Sequence, residues 1–158
     1  MKLRAKLPLA FAVSLALMLA GALFGIYKLN QAVVSYEDDV LHHVAAHKKA
    51  SETNAQFAVA IQEWKNVLLR GKDPKDLDKY WESHVKAMKQ VATGIQALQG
   101  LVGDGPAKDM VKKLASAMAS AQTGYVKAFE EYKSAGMDFA AGDKAAKGKD
   151  REAVAQMT

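Results

Sequence analysis

No cysteine occurs among the 158 residues. A disulfide framework, a thiolate metal site and haem attached through C-x-x-C-H are therefore excluded. Proline occurs only three times, and β-branched residues are not enriched. Ala, Lys, Leu, Gln and Glu dominate instead, which is a helix-forming composition. No Gly-rich phosphate loop follows a strand pattern, and no G-x-S-x-G is present. The 17 acidic residues include none set apart by an apolar neighbourhood or a paired geometry. These absences argue against an enzyme and give no reason to expect a cofactor. The formal net charge is +5, but Lys2, Arg4 and Lys6 supply three of those positives before the first acid, Glu37. The remainder is nearly balanced, so the high pI is no argument for nucleic acid.

One long apolar run is present. Leu7 to Tyr27, LPLAFAVSLALMLAGALFGIY, carries no charge. As a helix it spans about 31 Å, close to the roughly 30 Å of a bilayer's hydrocarbon core. Basic residues precede it. Lys28 and then the acidic Glu37, Asp38 and Asp39 follow it. The positive-inside rule puts residues 1–6 in the cytoplasm and everything after Lys28 outside the inner membrane, in the periplasm. A signal peptide cleaved near Ala20-Gly21-Ala22 is the alternative, and it exports the same remainder. Apolar character continuing through Tyr27 favours the retained anchor. Gly21 and Gly25 form a small-x-x-x-small pair suited to close packing of membrane helices, though alanine-rich anchors produce such pairs by chance.

The rest reads as an all-α domain, 28–158, built as an antiparallel bundle. A first helix runs from about Leu29 to Arg70, with the line Leu29, Val33, Tyr36, Val40, Val44, Phe57, Ile61, Trp64, Leu68 alternating three and four. The middle of that line is polar: His43, His47, Ser51 and Asn54. Such a stretch suits a hydrated or register-fixing seam, or a ligand or dimer contact. The i, i+4 histidines lack a visible third metal ligand. Gly71-Lys72-Asp73-Pro74 breaks the helix, with Gly71 suited to a left-handed C′ position, Asp73 to an N-cap and Pro74 to N1. The second helix, to about Val102, has the seam Leu77, Trp81, His84, Met88, Val91, Ile95, Leu98, Val102. About the turn, Trp64 lies level with Tyr80 and Ile61 with about His84. A third helix is expected from Pro106 to about Ala141, then a loop over 142–149, then a helix capped by Asp150. Three long helices with narrow stripes predict a fourth, truncated one.

The string Gln62-Glu63-Trp64-Lys65-Asn66-Val67-Leu68-Leu69-Arg70-Gly71-Lys72-Asp73-Pro74, followed by Lys79-Tyr80-Trp81, behind a basic-then-apolar anchor, resembles the periplasmic four-helix-bundle sensor region of bacterial methyl-accepting chemotaxis receptors. The resemblance implies a transmembrane receptor module. Such a module forms a homodimer, binds a small molecule or a periplasmic binding protein, and passes a helix displacement inward. A secreted or anchored carrier-type bundle, or the input domain of a sensor kinase or cyclase, would share the pattern. At the tip, Arg70 stands alone among lysines beside Trp64, Tyr80, Trp81 and His84. A guanidinium fork there could read a carboxylate. Equally, the aromatics could simply close the bundle's end, with Arg70 complementing its own helix C-terminus.

Overall fold

A computed structural model describes residues 3–157, without the side chains of residues 3–7, 38 and 39. Lys2, the side chains of Arg4, Lys6, Asp38 and Asp39, and Thr158 therefore lie outside the described residues. The described residues form five helices and no strand: α1 (Leu3–Arg70), α2 (Pro74–Leu101), α3 (Pro106–Ser134), α4 (Phe139–Ala146) and α5 (Arg151–Met157). The chain divides into two compact units, one up to His42 and one from His43.

In the first unit every described side chain is exposed. By length and composition this part of α1 is able to cross a membrane. Apolar side chains face outward all round it, as lipid requires and water disfavours. Ser14 donates its hydroxyl hydrogen to the Ala10 carbonyl at 2.9 Å, so the one polar side chain in mid-run is satisfied within the helix. At the end of the run the Lys28 ammonium lies 5.9 Å from the Phe24 ring centroid. The open space around Gly21 and Gly25 leaves their face clear. The continuation of the heptad line, Leu29, Val33, Tyr36 and Val40, is exposed as well, and so is Val44 just inside the second unit.

The second unit is held by two clusters. One joins Phe57, Ala60, Met88, Val91, Ile95, Leu114 and Met118, with Ala153 of α5. The other, nearer the turn, joins Trp64, Val67, Leu68, Leu77, Tyr80, Tyr125, Phe129 and Tyr132, with Ala146 of α4. The seam of α2 is buried from Leu77 to Leu98, with Trp81 half-buried, because its alternating three-and-four spacing keeps one face inward. Asp73 caps α2, its carboxylate accepting from the Lys75 and Asp76 amides, and Pro74 follows at N1.

Three expectations change. Gly71 is not left-handed; it is buried, and a Cβ there would meet the Val67 carbonyl, Leu77 and the Tyr132 hydroxyl. The third helix stops at Ser134, well before Ala141. Gly136 (φ +66°) and Met137 (φ +60°) turn the chain, with Gly136 N–H donating to Lys133 and Met137 N–H to Tyr132. That pair of bonds is the Schellman arrangement with glycine at C′, so Ala135 and Phe139, which extend the spacing of Tyr125, Ala128 and Tyr132 in sequence, are exposed. Much of the expected loop 142–149 is helix α4, opened by Asp138, whose carboxylate accepts from the Ala141 amide. Gly142 fits tightly against Leu68 and Tyr132. Asp150 does precede α5, but its carboxylate accepts from the Tyr125 hydroxyl at 3.1 Å.

Candidate functional site

The turn end of the second unit gathers the five tip residues. Heptad spacing on α1 and α2 sends Trp64, Trp81 and His84 toward α3, where Tyr125 and Phe129 receive them. Trp81 stacks on Phe129 with centroids 3.9 Å apart and planes 2° from parallel. Trp81 and His84 stack at 5.3 Å. Trp64 meets Trp81, His84 and Tyr125 at 6.3, 6.0 and 5.4 Å. The contacts are edge-on or tilted, as ring quadrupoles favour.

His84 is 2 % exposed. Its Nδ1 lies 2.8 Å from the Ala60 carbonyl oxygen. A carbonyl only accepts, so Nδ1 carries the proton and donates across the α1–α2 interface. Burial holds the imidazole below its ordinary value, against the opposing pull of the Ala60 carbonyl and Glu63. Burial likewise pushes the Tyr125 phenol up, and the Asp150 carboxylate beside it adds to the shift. Tyr132 donates its one hydroxyl hydrogen in a bond shared between the Val67 and Leu68 carbonyls at the last turn of the long helix. Arg70 stands outside this packed cluster. Its Nη1 donates to the Tyr80 hydroxyl at 2.6 Å, and its guanidinium lies 5.5 Å from that ring's centroid. One arm of the fork is thus engaged within the protein.

The polar stretch of α1 sits at the opposite end of the unit. His43, His47 and Asn54 line a cavity of about 370 Å³, while Ser51 is exposed on the same helix. The floor is formed by Thr53, Leu98 and Leu114, all buried, and Met157 of α5 closes one side. Thr53 donates its hydroxyl hydrogen to the Lys49 carbonyl at 2.7 Å. Reading along the sequence singled out the polar residues but not the apolar wall facing them. Laying α2 back along α1 about the turn would have revealed it, because Leu98 and Val102 then fall opposite the histidines. A cleft beside Trp64 and Tyr125 carries charge of both signs, Lys65 and Lys147 against Asp143 and Asp150. Among the described residues no three His, Asp or Glu side chains form a group able to hold a metal ion.

The chain is 36% identical over 155 residues, 98% of its length, to methyl-accepting chemotaxis protein CtpH of Pseudomonas aeruginosa. It spans about a quarter of that protein's length, 27%. No protein-family model matches the chain, and no solved structure matches it. The family resemblance drawn from the tip string and the anchor is borne out by this similarity.

Proposed function

We propose, from the premise that this chain is similar to a methyl-accepting chemotaxis protein over almost its whole length, that it is the ligand-sensing extracytoplasmic module of a transmembrane chemoreceptor. Residues 7–27 are the membrane helix, residues 1–6 are cytoplasmic, and 28–158 form the periplasmic sensor. The module binds rather than catalyses. It works as a homodimer, taking a small molecule or a periplasmic binding protein as partner. Binding shifts the population between two packings of long helices, and α1 carries the bias inward.

The observation that carries this reading is the similarity over 98% of the chain to a protein about four times as long. Two features support it. An exposed apolar helix has three basic residues and no acid ahead of it, and a single lysine followed by acids behind it. A helical unit with its own core follows. The test is topology: a reporter that is active only in the periplasm, fused after residue 75, is expected to be active. Activity confined to a cytoplasm-dependent reporter at the same position would falsify the orientation and with it the sensor reading.

A further inference from the structure

The cavity between His43 and Leu114 has a chemical polarity of its own. Its buried floor is mostly apolar, with Leu98 and Leu114 beside Thr53, whose hydroxyl is engaged by the Lys49 carbonyl, and Met157 at the side. His43, His47 and Met110 at its mouth are exposed. Imidazoles and amides, from His43, His47, Asn54 and Gln156, supply N–H donors around it, and among the described side chains no aspartate or glutamate lines it. Three acids close by in sequence are already matched. Glu52 pairs with Lys49 at 2.6 Å, Asp104 with Lys108 at 2.6 Å and Asp109 with Lys112 at 3.7 Å. An ammonium head would find no carboxylate among the described lining residues, whereas an oxygen-bearing anion would find several donors. Hydrogen bonds to an ionised acceptor are also the stronger kind. The volume lies within the roughly 300–1,000 Å³ of small-molecule sites, which join mostly apolar walls to a few placed polar groups.

We infer that this cavity binds an aliphatic carboxylate of medium chain length, its tail on Leu98, Leu114 and Met157 and its carboxylate at His43 and His47. Its role as a signal rests on the sensor reading; the binding does not.

The experiment is calorimetric titration of the full chain, held in lipid nanodiscs, with sodium octanoate, hexanoate, butanoate and octylamine. Saturable heat at one site per chain is expected for octanoate. Affinity falls about fourfold for each methylene removed, since a buried CH2 contributes about that factor. Octylamine gives no saturable heat. Ala50 and Ala107 are exposed residues on the cavity wall. Ala50→Phe and Ala107→Phe fill the space from two different helices, so each is expected to abolish the octanoate signal while leaving the melting transition in place. The inference is overturned if octanoate gives no saturable heat, if butanoate binds as tightly as octanoate, or if both filled variants bind like the original chain, which marks partition into lipid. Binding with a cytoplasmic reporter result would keep the cavity and remove the sensor. No binding with a periplasmic result would do the reverse.

Discussion

Lowering the pH should loosen the packed end of the bundle, and His84 is the reason. The imidazole is 2 % exposed, ringed by Trp64, Trp81 and Tyr125, and it donates to the Ala60 carbonyl. The charged groups around it are Glu63 on α1 and, through the Tyr125 hydroxyl, Asp150 ahead of α5. Burial outweighs them, so the folded imidazole titrates below its ordinary 6.5. The unfolded chain then binds the proton more readily than the folded one, and stability falls as pH drops. His84's contribution is fully present above about pH 6.5 and is lost progressively below it, until the folded imidazole itself protonates. For one proton the slope cannot exceed about 1.4 kcal/mol per pH unit.

His84→Phe keeps the ring and removes the titration. Denaturation of the micelle-held chain should show the original losing stability relative to this variant between pH 7 and 5.5. The difference should be at most about 1.4 kcal/mol over the last unit. His42, His43 and His47 are exposed and present in both proteins, so they cancel. Both tryptophans of the chain lie beside His84, which makes intrinsic fluorescence a local reporter of the same event. Parallel stability curves would refute a neutral, buried imidazole. A curve running the other way, with the original gaining on the variant in acid, would mean that the aromatic ring holds imidazolium by cation–π attraction.

Two further substitutions test the rest. Ile95 is 3 % exposed in the core cluster farther from the turn; Ile95→Asp loses that burial and places a charge without a partner, so a loss of about 4 kcal/mol or more is expected in the same denaturation assay. Unchanged stability would mean that the α2 seam does not face inward. Arg70→Lys keeps the exposed charge but not the fork, so stability should stay within about 0.5 kcal/mol, and octanoate binding at the far cavity should be unchanged. A sharp fall in octanoate affinity would instead place the carboxylate at the tip.

Much of the unit was legible in the sequence because its helices obey simple rules. The alternating seam of α2 is buried as spaced. The expected level of Ile61 with His84 is matched by the bond from His84 to Ala60. Asp73 and Pro74 announce the start of α2 through side-chain acceptor and missing amide, and the structure uses both. What failed did so where side-chain periodicity carries no information about the backbone. Ala135 and Phe139 continue the three-four alternation of α3 in sequence, but Gly136 had already turned the chain. The glycine was the visible signal, and it was outweighed by the apolar pattern around it. Gly71 failed in the opposite sense. A glycine after a helix suggests a left-handed cap, whereas this one is small because Val67, Leu77 and Tyr132 crowd it. That crowding is a three-dimensional fact. The exposed line Leu29 to Val44 has regular spacing and no partner among the described residues. Periodicity shows that a face is apolar, not what covers it.

The two ends of the unit also differ in how easily they could change packing, which bears on where a signal could begin. A ligand shifts an equilibrium only by its differential affinity for the two states. At the turn end, rearrangement would break the His84 bond to Ala60, the shared Tyr132 bond to the end of α1 and the Tyr125 bond to Asp150, while unstacking Trp81 from Phe129. Each hydrogen bond contributes about 1 kcal/mol net, and more where a buried group would be left unpaired. A second packing at that end is therefore expensive. At the other end α1 meets the cavity through Ala46, Ala50 and polar side chains that solvent can satisfy in either state. Thr53 anchors α1 to Gly94 of α2 just inside that boundary, where a Cβ on the glycine would collide with the threonine. Beyond that anchor, α1 can shift against α2 and α3 without breaking a buried polar contact. A molecule filling the cavity would bind one such position better than another. The energy it must supply is small there and large at the tip, so in a sensor built this way the open end is the better place for the switch.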